Sequence, residues 1–147
     1  MAMFVKQISV SLDNNPGTFL AVSDCLGAEG INIRAISVAD TSDISTVRFV
    51  PDDPQKTITV LKSKGYSVKE TDVVAVEIPD HPGALQAVLK PLNEAEINVL
   101  YLYPYLGRGE SGQPIVIVGV DKDKGREAID VLKQNWVHTF GEEIYAL

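Results

Sequence analysis

The residues best suited to binding a small molecule lie in two Pro-Gly turns that are 66 positions apart. The first Pro-Gly turn, residues 14–18, reads Asn-Asn-Pro-Gly-Thr, and the second, residues 80–85, reads Asp-His-Pro-Gly-Ala-Leu. Each turn lies between a segment of alternating apolar residues, typical of a strand, and apolar residues at helical spacing. Backbone N–H groups at the start of a helix favour a bound carboxylate. Gly17 and Gly83 have no side chain to keep such a ligand from the backbone.

Four polar side chains accompany these turns. Asn14 and Asp80 precede the Pro-Gly dipeptides, and Asn32 and Asn98 begin the strand that follows each helix. An asparagine amide is both donor and acceptor, and an aspartate accepts from an ammonium group. We expect the amides of Asn32 and Asn98 to reach the same pocket as the turn, because their strand would lie beside the first strand. This combination predicts a site for an α-amino acid. The alternative is that Pro-Gly only starts a helix and the asparagines fill turns.

Both halves of the chain show the same order of elements: strand, helix, two strands, helix and strand. With right-handed crossovers, this order predicts an α+β fold of two ferredoxin-like βαββαβ units, each with a four-stranded antiparallel sheet and both helices on one face. We expect one domain over residues 1–71, the first repeat, and another over residues 72–147, the second repeat. The predicted strands cover residues 4–12, 31–39, 45–50, 67–70, 73–78, 97–105, 114–120 and 136–140. Predicted helices begin at Pro16, capped by Asn15, and at Pro54, Pro82 and Lys124.

Residues 12–34 and 78–100 share a pattern of Asn or Asp, Pro-Gly, helical apolar residues and a Gly-Ile-Asn-Ile or Glu-Ile-Asn-Val segment. This pattern resembles the ACT domain, a small amino-acid-sensing module, and the whole chain is similar to stand-alone tandem ACT proteins. In that family the ligand sits between two ACT units, where a strand-to-helix loop and a distal asparagine hold it. The resemblance implies ligand-binding roles for Asn14, Asn15, Gly17, Thr18 and Asn32 in the first repeat, and for Asp80, His81, Gly83, Ala84, Leu85 and Asn98 in the second.

The resemblance also has limits that bear on the ligand. Serine-responsive members carry a histidine two residues before the loop asparagine, where this chain has Leu12 and Ile78. Recognition as in the serine sensors is therefore not expected, and Asp80 in place of an asparagine suggests two unequal sites. Some ACT units bind nothing and only assemble.

The resemblance implies a regulatory protein that senses a free amino acid at ACT–ACT interfaces. Its expected partners are the amino-acid ligand and a second copy of itself, in a homodimer or a higher homo-oligomer. The alternative is a regulatory or interaction subunit of a separate amino-acid biosynthetic enzyme, such as acetolactate synthase, whose regulatory subunits look related in their first ACT unit.

Several other functions are disfavoured by composition and pattern. The net charge of −7 and the scattered basic residues argue against a nucleic-acid surface. No apolar run approaches the ~18 residues of a membrane span. Cys25 is the only cysteine, and no arrangement of a nucleophile with a base is evident. We expect no enzyme activity, cofactor or metal site, and a cytoplasmic protein.

The segment over residues 107–112 matches the pattern Gly-x-Gly-x-x-Gly. A dinucleotide fingerprint needs a helix after the glycines, whereas residues 114–120 have the pattern of a strand. The segment is therefore interpreted as a flexible hairpin loop, with a lid over a pocket as a second possibility.

Overall fold

The computed structural model describes residues 4–41 and 43–147, which form seven β-strands and four α-helices. In chain order these are β1 (Val5–Asp13), α1 (Thr18–Ala28), β2 (Ile33–Asp40), β3 (Ile44–Pro51), α2 (Pro54–Ser63), β4 (Val68–Glu77), α3 (Gln86–Glu94), β5 (Val99–Arg108), β6 (Pro114–Val120), α4 (Gly125–Gln134) and β7 (Thr139–Phe140). Short 3₁₀ helices cover Lys122–Lys124 and Glu142–Ala146. The chain divides into a first unit, Lys6–Thr71, and a second unit, Asp72–Leu147 with Phe4 and Val5.

In the first unit, β3 lies between β1 and β2 and is antiparallel to both. The alternation of β1 buries every second side chain on the face that carries the helices. Helices α1 and α2 supply the other side of that core, so they lie on the same face of the strands. The buried core consists of Ile8, Val10, Leu12, Val22, Leu26, Ile31, Val47, Phe49 and Leu61.

In the second unit, β6 lies between β4 and β5, and the short strand β7 pairs with the other edge of β4. Helices α3 and α4 again share a core with these strands. Its buried members are Val74, Val76, Ile78, Val88, Leu92, Ile97, Val116, Val118, Ala128, Ile129, Leu132 and Val137. None of the helices in the described part of the chain has both the length and the hydropathy of a membrane span.

The predicted fold class, two ferredoxin-like units with a four-stranded sheet each, was wrong. Two such sheets need eight strands, whereas residues 4–41 and 43–147 form seven. The predicted strands over residues 67–70 and 73–78 are one continuous strand, β4. No Gly, Pro or Asn lies between them, so nothing in that segment favours a turn over extended backbone. One strand thus takes the place of the two that separate sheets would need.

Two helices begin later than predicted. Helix α1 has Gly17, not Asn15, at its N-cap, and α3 begins at Gln86 rather than near Pro82. The cause is the backbone of Gly17 and Gly83, whose φ angles are 89° and 80°. A residue in this left-handed region cannot belong to a right-handed helix, so the helix begins only after it. The predicted start of α2 is confirmed, since Asp53 caps it with Pro54 at its first position.

Candidate ligand-binding site

The first Pro-Gly turn presents backbone N–H groups that have no partner. Within the described residues, no acceptor receives a hydrogen bond from the N–H groups of Gly17, Phe19 or Leu20. Helix α1 lacks a side-chain cap, whereas the Asp53 carboxylate caps α2 by accepting from the Lys56 N–H at 3.1 Å. The start of α1 therefore keeps donors that a helix normally satisfies with a cap or a ligand.

The space beside the Gly17 backbone is open. A Cβ atom built on Gly17 would meet no atom within 4 Å. Glycine is required here by its φ of 89°, not by crowding. A small anion can therefore approach the backbone from the side on which any other residue would place a side chain.

Hydrogen bonds to its own backbone and to the β2–β3 hairpin shape the first turn. The backbone N–H of Asn14 donates to the Asp43 carbonyl oxygen at 2.9 Å, and its side-chain Nδ2 donates to the Thr41 carbonyl oxygen at 3.4 Å. The Thr18 hydroxyl lies 2.8 Å from the Asp13 carbonyl oxygen and 3.0 Å from that of Asn15. The hydroxyl proton of Thr18 is thus used within the turn. Because Nδ2 of Asn14 faces the hairpin carbonyl, its Oδ1 is the acceptor left for a ligand.

The second Pro-Gly turn has the same glycine conformation and, among the described residues, one fewer open donor at its helix start. The N–H of Ala84 donates to the His81 carbonyl oxygen at 3.1 Å, and that of Gln86 donates to the Gly83 carbonyl oxygen at 3.0 Å. Both are 3₁₀-type bonds. The Ala84 bond has a counterpart in the first turn, where the Thr18 N–H donates to the Asn15 carbonyl oxygen at 3.4 Å, whereas the Gln86 bond satisfies a group whose counterpart, the Leu20 N–H, lacks an acceptor among the described residues. The Gln86 side chain also lies 3.9 Å from the position of a Cβ on Gly83. Among the described residues, the N–H groups of Gly83 and Leu85 lack an acceptor at the helix start, and so do those of Asp80 and His81 earlier in the turn.

The charges around the second turn also differ from those around the first. The Asp80 carboxylate occupies the position of the neutral Asn14 and lies 3.8 Å from the Arg108 guanidinium. Arg108 also donates to the Gly112 carbonyl oxygen at 2.8 Å, and His81 Nδ1 donates to the Pro82 carbonyl oxygen at 2.9 Å. Arg108 offsets part of the negative charge. A carboxylate beside the open donors nevertheless makes this turn less favourable for a second carboxylate.

Asn32 does not reach the first turn of its own unit, contrary to expectation. Ile33 pairs with Pro51 at one end of β3, and Asp13 pairs with Ile44 at the other. Seven residues of antiparallel strand separate these ends by about 24 Å. The reason is the crossover itself: the helix carries the chain back along the sheet, so β2 starts at the end opposite the turn.

Asn98 is separated from the second turn in the same way. Val99 pairs with Val120, whereas Glu77 pairs with Ile115 near the other end of β6. The five intervening residues correspond to about 17 Å. Within each unit, the structure therefore brings the turn residues together and leaves the distal asparagine apart.

Asn32 lies instead beside the loop that leads to α2. Its backbone N–H donates to Asp52 Oδ1 at 3.0 Å, and the Asp52 N–H donates to the Asn32 carbonyl oxygen at 2.9 Å. Its side-chain amide is exposed and has no hydrogen-bond partner in the described part of the chain. Nothing in the local sequence pattern around Asp52 indicates this contact with a residue 20 positions away.

A separate cleft of about 380 Å³ lies in the second unit. The hairpin loop over residues 107–112 contributes to its wall, and Ser111 donates a hydrogen bond to Glu77 there. Its lining residues are Glu77, Glu110, Ser111, His138, Phe140, Glu143 and Leu147. Three carboxylates make this cleft unsuited to an amino acid's carboxylate. No group of His, Cys, Asp and Glu in the described residues could hold a metal ion.

Two units, each with a Pro-Gly turn ahead of a helix, define a small tandem-domain protein with candidate anion sites at its helix starts. The family profile described as an ACT domain pair matches residues 3–143. The chain belongs to this family, and the resemblance seen in its sequence is confirmed.

Solved structures show the same fold. The chain is similar to protein BT0572 from Bacteroides thetaiotaomicron, with 31% identity, a TM-score of 0.89 and coverage of 99% of both chains. It is also similar to the regulatory subunit of aspartate kinase from Thermus thermophilus in its ligand-free form, with 15% identity and a TM-score of 0.64, over 91% of this chain and 93% of that one. The Thermus flavus counterpart gives 16% identity and a TM-score of 0.62, over 92% and 94%. A comparison with curated proteins found no match.

Proposed function

We propose that this chain is a regulatory protein that binds a free amino acid at interfaces between ACT units. The observation that carries the proposal is the start of α1, where the N–H groups of Gly17, Phe19 and Leu20 lack acceptors among the described residues and no atom lies within 4 Å of a Cβ position on Gly17. Helix N-termini with free N–H groups attract anions through both hydrogen bonds and the helix dipole. The ligand's carboxylate binds there, and its ammonium group is accepted by Asn14 Oδ1.

The remaining candidate residues either shape the first turn or form a second, weaker site. Asn15 and Thr18 hold the first turn in shape through the hydroxyl bonds of Thr18. The second turn forms a weaker site, because its helix start has one fewer open donor among the described residues and because the carboxylate of Asp80 lies beside it. Its other members are His81, Gly83, Ala84 and Leu85.

The distal asparagines act in a different unit from the turn. A ligand that contacts the first turn cannot also contact Asn32 of the same unit, which is about 24 Å away along β3. We assign Asn32, and Asn98 with it, to the turn of another copy of the chain. The site is thus completed by assembly, as the ACT resemblance implies, and ligand binding would favour one assembly over another.

A thermal-unfolding screen against the twenty amino acids tests the proposal. A ligand at 100 times its dissociation constant adds about 2.7 kcal/mol to the free energy of unfolding. For the amino acid found, Asn32→Ala should weaken binding by about 1.5–3 kcal/mol, since it removes a hydrogen bond to a charged group. Asn93→Ala, on the exposed surface of α3, is the matched control and should bind as the native chain does. The proposal fails if none of the twenty stabilises the protein.

A second function is that of a regulatory subunit for a separate enzyme of amino-acid biosynthesis. It is favoured by the full-length match to two chains that are named regulatory subunits of aspartate kinase. Acetolactate synthase is the enzyme that the sequence resemblance suggests. Isolation of the tagged chain from its native lysate should yield one such enzyme in stoichiometric amount. Recovery of the chain alone supports a free-standing sensor instead.

A further inference from the structure

The two repeats end their helices with the same backbone turn and with different residues. After α2, Gly65 has a φ of 87°, its N–H donates to the Lys62 carbonyl oxygen at 3.0 Å, and the next N–H donates to Leu61 at 3.1 Å. After α4, Trp136 has a φ of 65°, its N–H donates to Lys133 at 3.1 Å, and the next N–H donates to Leu132 at 3.0 Å. Glycine is the residue that this left-handed position favours. The second repeat carries a tryptophan there.

The side chain of Trp136 is not buried by packing against the described residues. It is 95% exposed, more than any other large apolar side chain in the described residues. Two features of Trp136 are therefore unfavourable in free energy. Its left-handed backbone conformation is strained for a residue with a side chain, and its apolar indole is exposed to water. A glycine would avoid both effects, as Gly65 does in the first repeat. The indole is therefore explained by a contact outside the chain.

A groove adjoins this tryptophan on the surface between α3 and α4. It has a volume of about 340 Å³, and Asn135, which directly precedes Trp136, forms part of its wall. Ala87 and Pro91 give it apolar surface, and Lys90 and Glu94 place charges of both signs along one face of α3. The exposed indole thus belongs to the residue that directly follows one wall of the groove, whose other polar lining residues are Gln86, Lys90 and Glu94.

We propose that this face associates with the same face of a second copy of the chain, with Trp136 of each protomer seated in the α3–α4 groove of its partner. A two-fold interface uses one patch on both subunits, and such a patch must carry both the protrusion and the recess that receives it. The opposite charges of Lys90 and Glu94 can pair reciprocally across the same axis. A foreign partner would have to supply its own recess, whereas a second copy already has one. Tryptophan is enriched among the anchors of interfaces.

Sedimentation velocity over a range of concentrations, without amino acids, tests this proposal. Trp136→Gly installs the residue that the first repeat has at this position, so the variant keeps its fold and loses only the indole. It should dissociate about 10³-fold more readily, because each dimer loses two anchors that are worth about 30-fold each. Glu96→Gly is the matched control: it relieves the other non-glycine residue with positive φ, 59°, and should associate as the native chain does.

Two further measurements give independent readings. Ala87→Arg fills the groove and keeps Trp136, and it should weaken association to a similar degree. Trp136 is the only tryptophan, so the tryptophan fluorescence of the native chain should move to longer wavelength on dilution as the indole returns to water.

The proposal is overturned if Trp136→Gly or Ala87→Arg associates like the native chain. It is also overturned if the native chain stays monomeric with the emission of an exposed indole, which would point to a different partner. Because no amino acid is present, these outcomes are separate from the failure of the binding proposal.

Discussion

The two Pro-Gly turns share a glycine conformation and differ in what surrounds it. The first turn has the neutral Asn14, an uncapped helix and open space in front of Gly17. The second has Asp80 with its partner Arg108, and 3₁₀-type bonds that use part of the donor set. The duplicated backbone has thus kept its turn, and in the binding proposal the surrounding side chains favour the first copy as the carboxylate site.

The residues that follow the helices also differ between the repeats, and here it is the second repeat that carries the unusual side chains. The first repeat has glycines at the two left-handed positions, Gly30 and Gly65, whereas the second has Glu96 and Trp136. A residue other than glycine is strained at a position with positive φ, so Glu96 and Trp136 each lower the stability of the backbone there. Together, the two proposals assign ligand binding mainly to the first unit and self-association to the second.

The largest expected effect comes from giving the first turn the charge of the second. Asn14→Asp should weaken amino-acid binding by about 2 kcal/mol, or ~30-fold. An aspartate cannot donate to the Thr41 carbonyl oxygen as Nδ2 does, so the turn loses the bond that directs Oδ1 to the ligand's ammonium group, and the new charge repels the ligand's carboxylate. Calorimetric titration with the amino acid from the screen measures this. Asp80→Asn is the reciprocal control and should bind at least as tightly as the native chain. Equal losses in both variants would show that the turns are not distinguished by charge.

An intermediate effect is expected from exchanging residues at the left-handed helix ends. Glu96→Gly should raise the free energy of unfolding by about 1 kcal/mol, and Gly30→Ala should lower it by about 1 kcal/mol, because only glycine adopts a positive φ without strain. A Cβ on Gly30 would have no neighbour within 4 Å, so the loss of stability in Gly30→Ala measures the strain of the left-handed backbone without a steric clash. Urea unfolding of both variants provides the measurement. A loss of stability in Glu96→Gly would show that the glutamate makes a contact that outweighs its strain.

The smallest effect is expected at the ion pair of the second turn. Asp80 and Arg108 are 71% and 56% exposed, and exposed pairs contribute little. Arg108→Gln should therefore change the free energy of unfolding by less than about 0.5 kcal/mol. A loss above about 1.5 kcal/mol in urea unfolding would mean that Arg108 organises the hairpin through its bond to Gly112.

The helix and strand positions were largely predictable because local signals were strong. Strand β6 was predicted at both ends, since Pro114 and the polar segment after Val120 bound a purely apolar run. The start of α2 followed from Asp53 and Pro54 in the same way. The start of α1 was not predictable from Asn15 and Pro16, because the left-handed backbone of Gly17 overrides their capping preference.

The wrong predictions concerned the tertiary arrangement of the strands, not the positions of single helices and strands. Thr71 and Asp72, between the predicted strands over residues 67–70 and 73–78, were interpreted as a joint between the repeats. They adopt extended backbone instead, and so one strand was counted as two. The distal asparagines were placed at the turns because strand neighbours were considered without strand direction. The crossover rule would have placed Asn32 and Asn98 at the opposite end of the strands. A comparison of the repeats at Gly30 and Gly65 would also have revealed Glu96 and Trp136.

The most direct test of the first turn as a carboxylate site is the response of its backbone N–H groups to the amino acid, measured by ¹⁵N–¹H NMR titration. The account predicts that the largest shifts occur at Gly17, Phe19 and Leu20, with smaller shifts at Gly83 and Leu85 at higher ligand concentration. Saturating shifts confined to other residues, or larger and tighter shifts at the second turn than at the first, would contradict it.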